Sequence, residues 1–265
     1  MTYPPQSPDT AKFRYSAVVT TIGEENLTNC VKSIQTQLIT PAEVIVVDDS
    51  ANQNINLDNV IIVKSGGEKG PSHSRNIGIS RATEKWVALC DSDDPWLPNK
   101  IKNQAEDIAA RKLDFSLTSA YVMKKRRPKV VLTPEINPFE LLYGKVHFCE
   151  SSAYFPTGSF LFNKEKVGQF DVNLSDRENI DFLFKAYKSG LRIGQLSSGE
   201  IEVSYDSKKS LKRLDIEQEY DWYLYLLDMD LIYARSFKYE SIRNVFRTKN
   251  VKKIRDLLLE HFKTK

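Results

Sequence analysis

Cysteine and histidine are scarce in this chain of 265 residues. The three cysteines, Cys30, Cys90 and Cys149, are odd in number and contain no C-x-x-C pair. That excludes a disulfide framework and a cysteine-based zinc site, and it fits a reducing compartment. The three histidines, His73, His147 and His261, form no H-x-x-x-H pair, which argues against a zinc hydrolase built on that motif. Glycine and proline number 11 each, too few for a fibrous or linker-dominated chain. No apolar run approaches the length of a membrane-spanning helix, and the opening MTYPPQSPDTAKFRYS lacks the apolar core of a signal peptide. The expectation is a cytoplasmic protein, with attachment to the inner face of the plasma membrane left open.

Charge is unevenly distributed. The net charge is +3, yet residues 235–265 carry ten Lys/Arg against three Asp/Glu, so the rest of the chain stands at −4. A mildly acidic body with a basic tail is not the footprint of a nucleic-acid-binding domain. The tail reads either as a solvated helix face or as a surface for peripheral contact with anionic lipid or a partner.

Residues 15–112 alternate short β-branched runs with helical spacing. Tyr15–Thr20, Glu43–Val47, Val60–Val63 and Lys85–Cys90 read as strands. Glu24–Gln37 reads as a helix burying Leu27, Cys30, Val31, Ile34 and Leu38, and Pro41 lies beyond it. Further helices are expected near Ser72–Ala82 and Pro98–Lys112. Nearly continuous apolar strands between helices predict a parallel, doubly wound sheet, whose ligands bind beyond the carboxyl ends of the strands.

After Asp114 the pattern becomes mixed. Strands are expected at Phe115–Met123 and Ser159–Phe162, with a basic hairpin tip at Lys124–Lys129. Helices are expected at Pro138–Gly144 and at Asn179–Ser189, the latter burying Ile180, Leu183, Phe184 and Tyr187. A junction at Asp206–Ser210 leads to an all-helical segment. The domain reading is a lead-in at 1–13, an α/β domain at 14–206 (halves 14–112 and 113–206) and a helical C-terminal extension at 207–265.

Two of the first four strands end in carboxylates. Asp91-Ser92-Asp93-Asp94 follows one of them directly. Several carboxylates at one strand end repel each other unless a cation or hydrogen-bond donors compensate. Hard oxygen donors suit Mg²⁺ or Mn²⁺ bridging to substrate phosphates. Asp94 could also cap a helix starting at Pro95, but a cap accounts for one aspartate and not three. Asp48-Asp49-Ser50 reads either as a plain turn or as an acceptor for ribose hydroxyls or a base N–H. Gly66-Gly67-Glu68-Lys69-Gly70 fits no standard phosphate loop. Arg75, just beyond it, suits a nucleotide base or the balancing of the aspartates.

Together these segments resemble the family 2 glycosyltransferases, inverting enzymes of the GT-A (Rossmann-like) fold. The matching pieces are Val18-Val19-Thr20-Thr21, Val46-Val47-Asp48-Asp49-Ser50, Gly70-Pro71-Ser72-His73-Ser74-Arg75-Asn76-Ile77-Gly78, and Asp91-Ser92-Asp93-Asp94-Pro95-Trp96-Leu97-Pro98-Asn99-Lys100-Ile101. A weaker match runs through Phe170-Asp171-Val172-Asn173-Leu174 and Glu178-Asn179-Ile180-Asp181. The resemblance implies a mostly parallel sheet flanked by helices, a nucleoside-diphosphate sugar donor (a UDP-sugar above all), and a saccharide or lipid-linked acceptor. It implies a place in bacterial surface-polysaccharide synthesis. By position, Thr20, Ile22 and Glu24 border the base pocket, Asp49 and Arg75 contact the base, Asp91 and Ser92 lie at the nucleotide, and Asp93 holds Mn²⁺ or Mg²⁺. The family's usual base is the Asp of an E-D pair, and Asn179 stands in its place. Glu178, then Asp181, are the substitutes, with Asp176 a further carboxylate nearby. A nucleotide-sugar-binding module without turnover is the alternative. Ser151–Phe155 and the aromatic residues Tyr220, Trp222, Tyr223 and Tyr225 are candidates for an acceptor floor, although aromatics at helical spacing mainly bury area.

Overall fold

The computed structural model describes residues 12–122, 125–127, 130–143, 153–174, 176–203 and 216–229. Much of the lead-in, the 206–210 junction, the basic tail, His147, Cys149, His261, Ser151 and the side chain of Tyr220 lie outside the described residues. The chain divides into two compact units, Met1–Glu135 with Ala153–Ser204, and Ile136–Ser152 with Tyr205–Lys265.

The first unit is built on one mixed, mostly parallel sheet. In chain order its strands are β1 (Tyr15–Thr21), β2 (Glu43–Asp48), β3 (Ile61–Lys64), β4 (Trp86–Asp91), β5 (Phe115–Val122), β6 (Lys125–Arg127), β7 (Leu161–Asn163) and β8 (Ile193–Val203). The path runs β3-β2-β1-β4-β7-β5-β6, and β8 also pairs β5. β1 is central, parallel to both β2 and β4, with Thr20 facing Val47 on one side and Asp91 on the other. Its five residues from Tyr15 to Val19 are buried because helices cover both faces. Among the described strands, only β6 and β7 run antiparallel to their neighbours.

The helices are α1 (Leu27–Gln35), α2 (Pro71–Arg81), α3 (Lys100–Arg111), α4 (Pro138–Tyr143), α5 (Glu178–Lys188) and α6 (Ile216–Met229). α1 starts later than the spacing predicts, because the Glu24 carboxylate turns back onto Thr21 Oγ1 and Ile22 N. It stops at Gln35, so Leu38 falls beyond its apolar face and is 63% exposed rather than buried. α2 lies close on the sheet at Gly78, where a Cβ would stand 2.2 Å from Val18 Cγ1. No helix starts at Pro95; α3 begins at Lys100 after Asn99, so Asp94 is not a helix cap.

The second half of the sheet departs further from the sequence reading. The basic run belongs to a hairpin, but its residues Lys125–Arg127 are not the tip: they form a strand returning along β5, with Val122 opposite Lys125. Residues 157–159 form a 3-10 turn before the short β7. The longest strand among the described residues, β8, has no counterpart in the sequence pattern; its run Gly194–Gly199 has the composition of a loop, and its pairing with β5 is interrupted by register shifts at Thr118–Ala120. In α5 the buried set is Asp181–Phe184 with Ala186, while Ile180 and Tyr187 are half-buried. Phe182 stacks on Phe170 (4.0 Å between centroids) and packs against Phe115 and Phe162, so aromatic area holds α5 to the sheet.

Within the second unit, Phe139 and Tyr143 of α4 pack with Trp222 of α6, whose Nε1 donates to Tyr143 Oη at 3.3 Å. Trp222, Tyr223 and Leu226 are buried, so these aromatics pack helices. Among the described residues no helix is long and apolar enough to cross a membrane.

Candidate active site

The carboxyl ends of β1, β2 and β4 lie side by side, because parallel pairing aligns them. Thr21 pairs with Asp48, Thr20 with Asp91, and Asp49 N donates to Thr21 O at 2.8 Å. Three neighbouring strands thus deliver carboxylates and hydroxyls to one edge, where open α/β sheets bind ligands.

The two aspartates after β2 organise loops. Asp48, fully buried, accepts from Ser50 N at 2.9 Å, Ser50 Oγ at 2.6 Å and Ile55 N at 3.2 Å. Asp49, also buried, accepts from Ser65 Oγ, from Lys69 N at 2.9 Å and from Gly70 N at 2.8 Å. Both Asp49 oxygens are therefore spent on the segment leading into α2. Gly66, Gly67 and Gly70 all have positive φ, the backbone conformation glycine takes without a Cβ penalty. The Gly-rich run is a tight connection wrapped around one carboxylate. Gln53 and Ser65, which complete this network, carry no sequence signal that singles them out.

Glu24 joins the end of β1 to the loop after β4. Its Oε2 accepts from Thr21 Oγ1 at 2.6 Å and Ile22 N at 3.0 Å. Burial pushes this carboxyl up, but hydrogen bonds from Ser92, Thr21 and the backbone outweigh it and hold the group below the usual glutamate range. Ser92 is buried and Ile22 is 66% exposed. Thr20, half-buried, sits between Val47 and Asp91.

Arg75 is the centre of the arrangement. Its Nη2 donates to Asp91 Oδ1 at 2.9 Å and its Nη1 to Glu178 Oε1 at 2.7 Å. The guanidinium also lies over the Phe170 ring, 5.4 Å from its centroid. Burial disfavours the charge, but Asp91 and Glu178 more than offset that and hold the group above its ordinary value. The next residue, Asn76, accepts from Phe170 N at 2.8 Å and donates to Phe170 O at 2.9 Å. The Arg-Asn pair on α2 thereby ties the first half of the sheet to the segment that leads into α5.

α5 places its first residues differently. Glu178 meets Arg75. Asn179 donates from Nδ2 to Phe155 O at 2.7 Å. Asp181 is 1% exposed, with Oδ2 2.8 Å from Lys185 Nζ. Asp176 lies 3.0 Å from Arg177 Nη1 with its side chain largely exposed. Glu178 is thus brought to Asp91 through Arg75, while Asp181 is turned into the protein. The turn at Thr157–Ser159 abuts the Asp91–Asp94 loop: a Cβ on Gly158 would stand 3.8 Å from Asp91 N and 3.7 Å from Asp94 Cβ. A glycine between Thr157 and Ser159 is the one trace this approach leaves in the sequence.

Asp93 is exposed on the loop, while Asp94 is buried behind it. Among the described residues no three His, Cys, Asp or Glu side chains converge to enclose a cation. The exposed Asp93 beside Asp91 fits a divalent ion of Mg²⁺ or Mn²⁺ type, which takes one or two protein carboxylates and fills its shell with phosphate oxygens and water.

Comparison with known proteins places this arrangement. Residues 16–169 match the family described as Glycosyl transferase family 2. The chain is 31% identical over 101 residues to the UDP-Glc:alpha-D-GlcNAc-diphosphoundecaprenol beta-1,3-glucosyltransferase WfaP of Escherichia coli, a stretch covering 36% of this chain and 40% of that protein. It is 25% identical over 173 residues to the uncharacterized glycosyltransferase YwdF of Bacillus subtilis, covering 61% of this chain and 63% of YwdF. The matches thus span roughly two-fifths to three-fifths of these relatives' lengths. The fold is similar to that of S. aureus TarS 1-349 crystallised with UDP-GlcNAc, at a TM-score of 0.61 and 20% identity, over 95% of this chain and 73% of that one. The strand order, the carboxylate-lined sheet edge and the match over more than half its length agree: the chain belongs to glycosyl transferase family 2.

Proposed function

We propose that the protein transfers a sugar from a nucleoside-diphosphate sugar, in first place a UDP-sugar, to a saccharide or lipid-linked saccharide acceptor, with inversion. The setting is bacterial surface-polysaccharide synthesis at the cytoplasmic face of the membrane. The observation that carries this reading is Arg75 linking Asp91, at the end of β4, to Glu178, at the start of α5, beside the exposed Asp93. Two relatives support the donor class: WfaP is named for UDP-Glc and a diphosphoundecaprenol-linked acceptor, and TarS was crystallised with UDP-GlcNAc.

In this reading Thr20, Ile22, Glu24, Asp49, Arg75, Asp91 and Ser92 shape the nucleotide side. Some act through the loops they hold: Asp49 sets the path into α2, and Glu24 sets Ser92. Asp93, with Asp91 beside it, would hold Mn²⁺ or Mg²⁺, and the ion would supply positive charge to offset the negative charge that develops on the departing diphosphate. The acceptor hydroxyl attacks the anomeric carbon from the face opposite the diphosphate. One C–O bond forms as the other breaks, so an α-linked donor gives a β-linkage. The hydroxyl proton passes to Glu178, whose Oε1 is held by Arg75 and whose Oε2 makes no bond among the described residues.

One observation favours a second reading, a nucleotide-sugar-binding module without turnover. The residue next to Glu178 presents an amide to Phe155 O, and Asp181 is buried against Lys185. UDP release from a panel of UDP-sugars with Mn²⁺ separates the two. Turnover that Glu178→Gln lowers more than Asp181→Asn supports the transferase reading with Glu178 as base. The reverse order moves that role to Asp181. UDP binding without release from any donor, with varied acceptors present, selects the binding module.

A further inference from the structure

We infer that Asn179 is a positioning residue: its side-chain amide fixes the turn at residues 155–159 against the end of β4, and the site requires an N–H donor at this position rather than a carboxylate. The effect on turnover rests on the transferase reading above; the clamp itself does not.

The turn is held from several sides. Ser159 N donates to Pro156 O at 3.0 Å, and Ser159 Oγ to the same oxygen at 2.6 Å. Gln104 Nε2 reaches Ser159 O at 2.9 Å from α3, and Gln195 Nε2 reaches Tyr154 O at 3.0 Å from β8. Phe155 O, on a buried residue between these anchors, takes its bond from Asn179 Nδ2. A buried carbonyl left without a donor carries a desolvation cost. Beyond the turn, Gly158 lies against Asp91 and Asp94. The first two residues of α5 therefore hold both walls of the edge: Glu178 grips Arg75, and Asn179 grips the turn.

The two side chains of an Asn/Asp exchange have nearly the same shape and opposite hydrogen-bonding character at this atom. An ionised aspartate would set an acceptor against the Phe155 carbonyl, whereas a protonated one would donate again. The charged groups of the elements that meet at this turn are Arg75 from α2, Asp91 and Asp94 from the end of β4 and its loop, and Asp176, Arg177, Glu178, Asp181 and Lys185 on or beside α5. All are shared by wild type and variants, so a difference between them reports position 179.

The test compares wild type, Asn179→Asp and Asn179→Ala between pH 5 and pH 8. It uses thermal midpoints, calorimetric binding of UDP with Mn²⁺, and UDP release per folded molecule. The clamp predicts that the midpoint deficit of Asn179→Asp shrinks as pH falls, while that of Asn179→Ala stays constant. It predicts that UDP release by Asn179→Asp is about tenfold below wild type at pH 8 and recovers toward pH 5, the size expected for one hydrogen bond. Release by Asn179→Asp that rises with pH above wild type overturns the inference, because the position then wants a base. Equal midpoints for all three proteins overturn it, as does a midpoint change with turnover unaltered, which leaves a purely structural role. If wild type releases no UDP, the transferase reading fails, and UDP affinity decides the inference: weakened at pH 8 in Asn179→Asp and recovering toward pH 5 supports it, and unchanged affinity overturns it.

Discussion

Arg75 Nη1 stands 2.7 Å from Glu178 Oε1, and the two residues are 103 apart in sequence. Their side chains are 7% and 13% exposed, so this is a largely buried ion pair, extended by Asp91 on the other guanidinium nitrogen. Removing one partner of such a pair leaves charge uncompensated in a poorly solvated place, which costs more than the intact pair contributes.

Arg75→Met should therefore destabilise the protein by about 3 kcal/mol, because it strands two carboxylates at once. Arg75→Lys should recover only part of the loss, since one ammonium cannot span Asp91 and Glu178 with the planar fork of a guanidinium. Urea unfolding of the three proteins at pH 7 measures both. A change below about 0.5 kcal/mol in Arg75→Met, the range of ordinary surface substitutions, would refute the role assigned to Arg75.

Asp93→Asn should separate binding from folding. Asp93 is exposed, so its unfolding free energy should stay within about 0.5 kcal/mol of wild type. Mn²⁺-dependent tightening of UDP binding should disappear, because the site has one carboxylate fewer for the ion. Calorimetric titration of UDP with and without Mn²⁺ reads this directly; undiminished tightening in the variant would remove Asp93 from the metal site.

Lys100 gives a pH prediction. It is fully buried at the start of α3, with Nζ 4.0 Å from the Trp96 ring centroid. Burial pulls its ammonium down to about 7, and the opposing influence of Cys90 and Glu200 is smaller. The unfolded chain holds that proton up to about 10.4. Between these values the unfolded state binds more protons, so this residue's contribution to stability rises with pH, by about 2 kcal/mol from pH 7 to 9. Lys100→Met should be more stable than wild type at pH 7, and the gap should narrow by pH 9. Taking the difference between the two proteins cancels the titrations of groups that do not interact with Lys100. A gap that does not change with pH would contradict a neutral buried amine.

The first half of the molecule was legible because local and long-range preferences agree there. Runs such as Val44–Val47 and Val87–Leu89 are apolar on both faces, so they have one favourable location, the interior of a parallel sheet. The second half was less legible. β8 contains Ser197, Ser198 and Gly199 and pairs irregularly with β5. A strand of that composition forms because β5 offers a partner, and no local pattern announces it.

The parallel α/β core, the carboxylates at the ends of β2 and β4, and the family those motifs resemble could all be read from the amino acids, since each follows from residue type and spacing along one stretch of chain. What those side chains do with one another depended on the packing of the folded chain. That packing turned Asp49 into the loop before α2, set Asp181 against Lys185, and joined Arg75 to Asp91 and Glu178. It also gave Asn179 to a backbone carbonyl. These are pairings between distant segments, and a charged or polar side chain takes the partner that packing delivers to it.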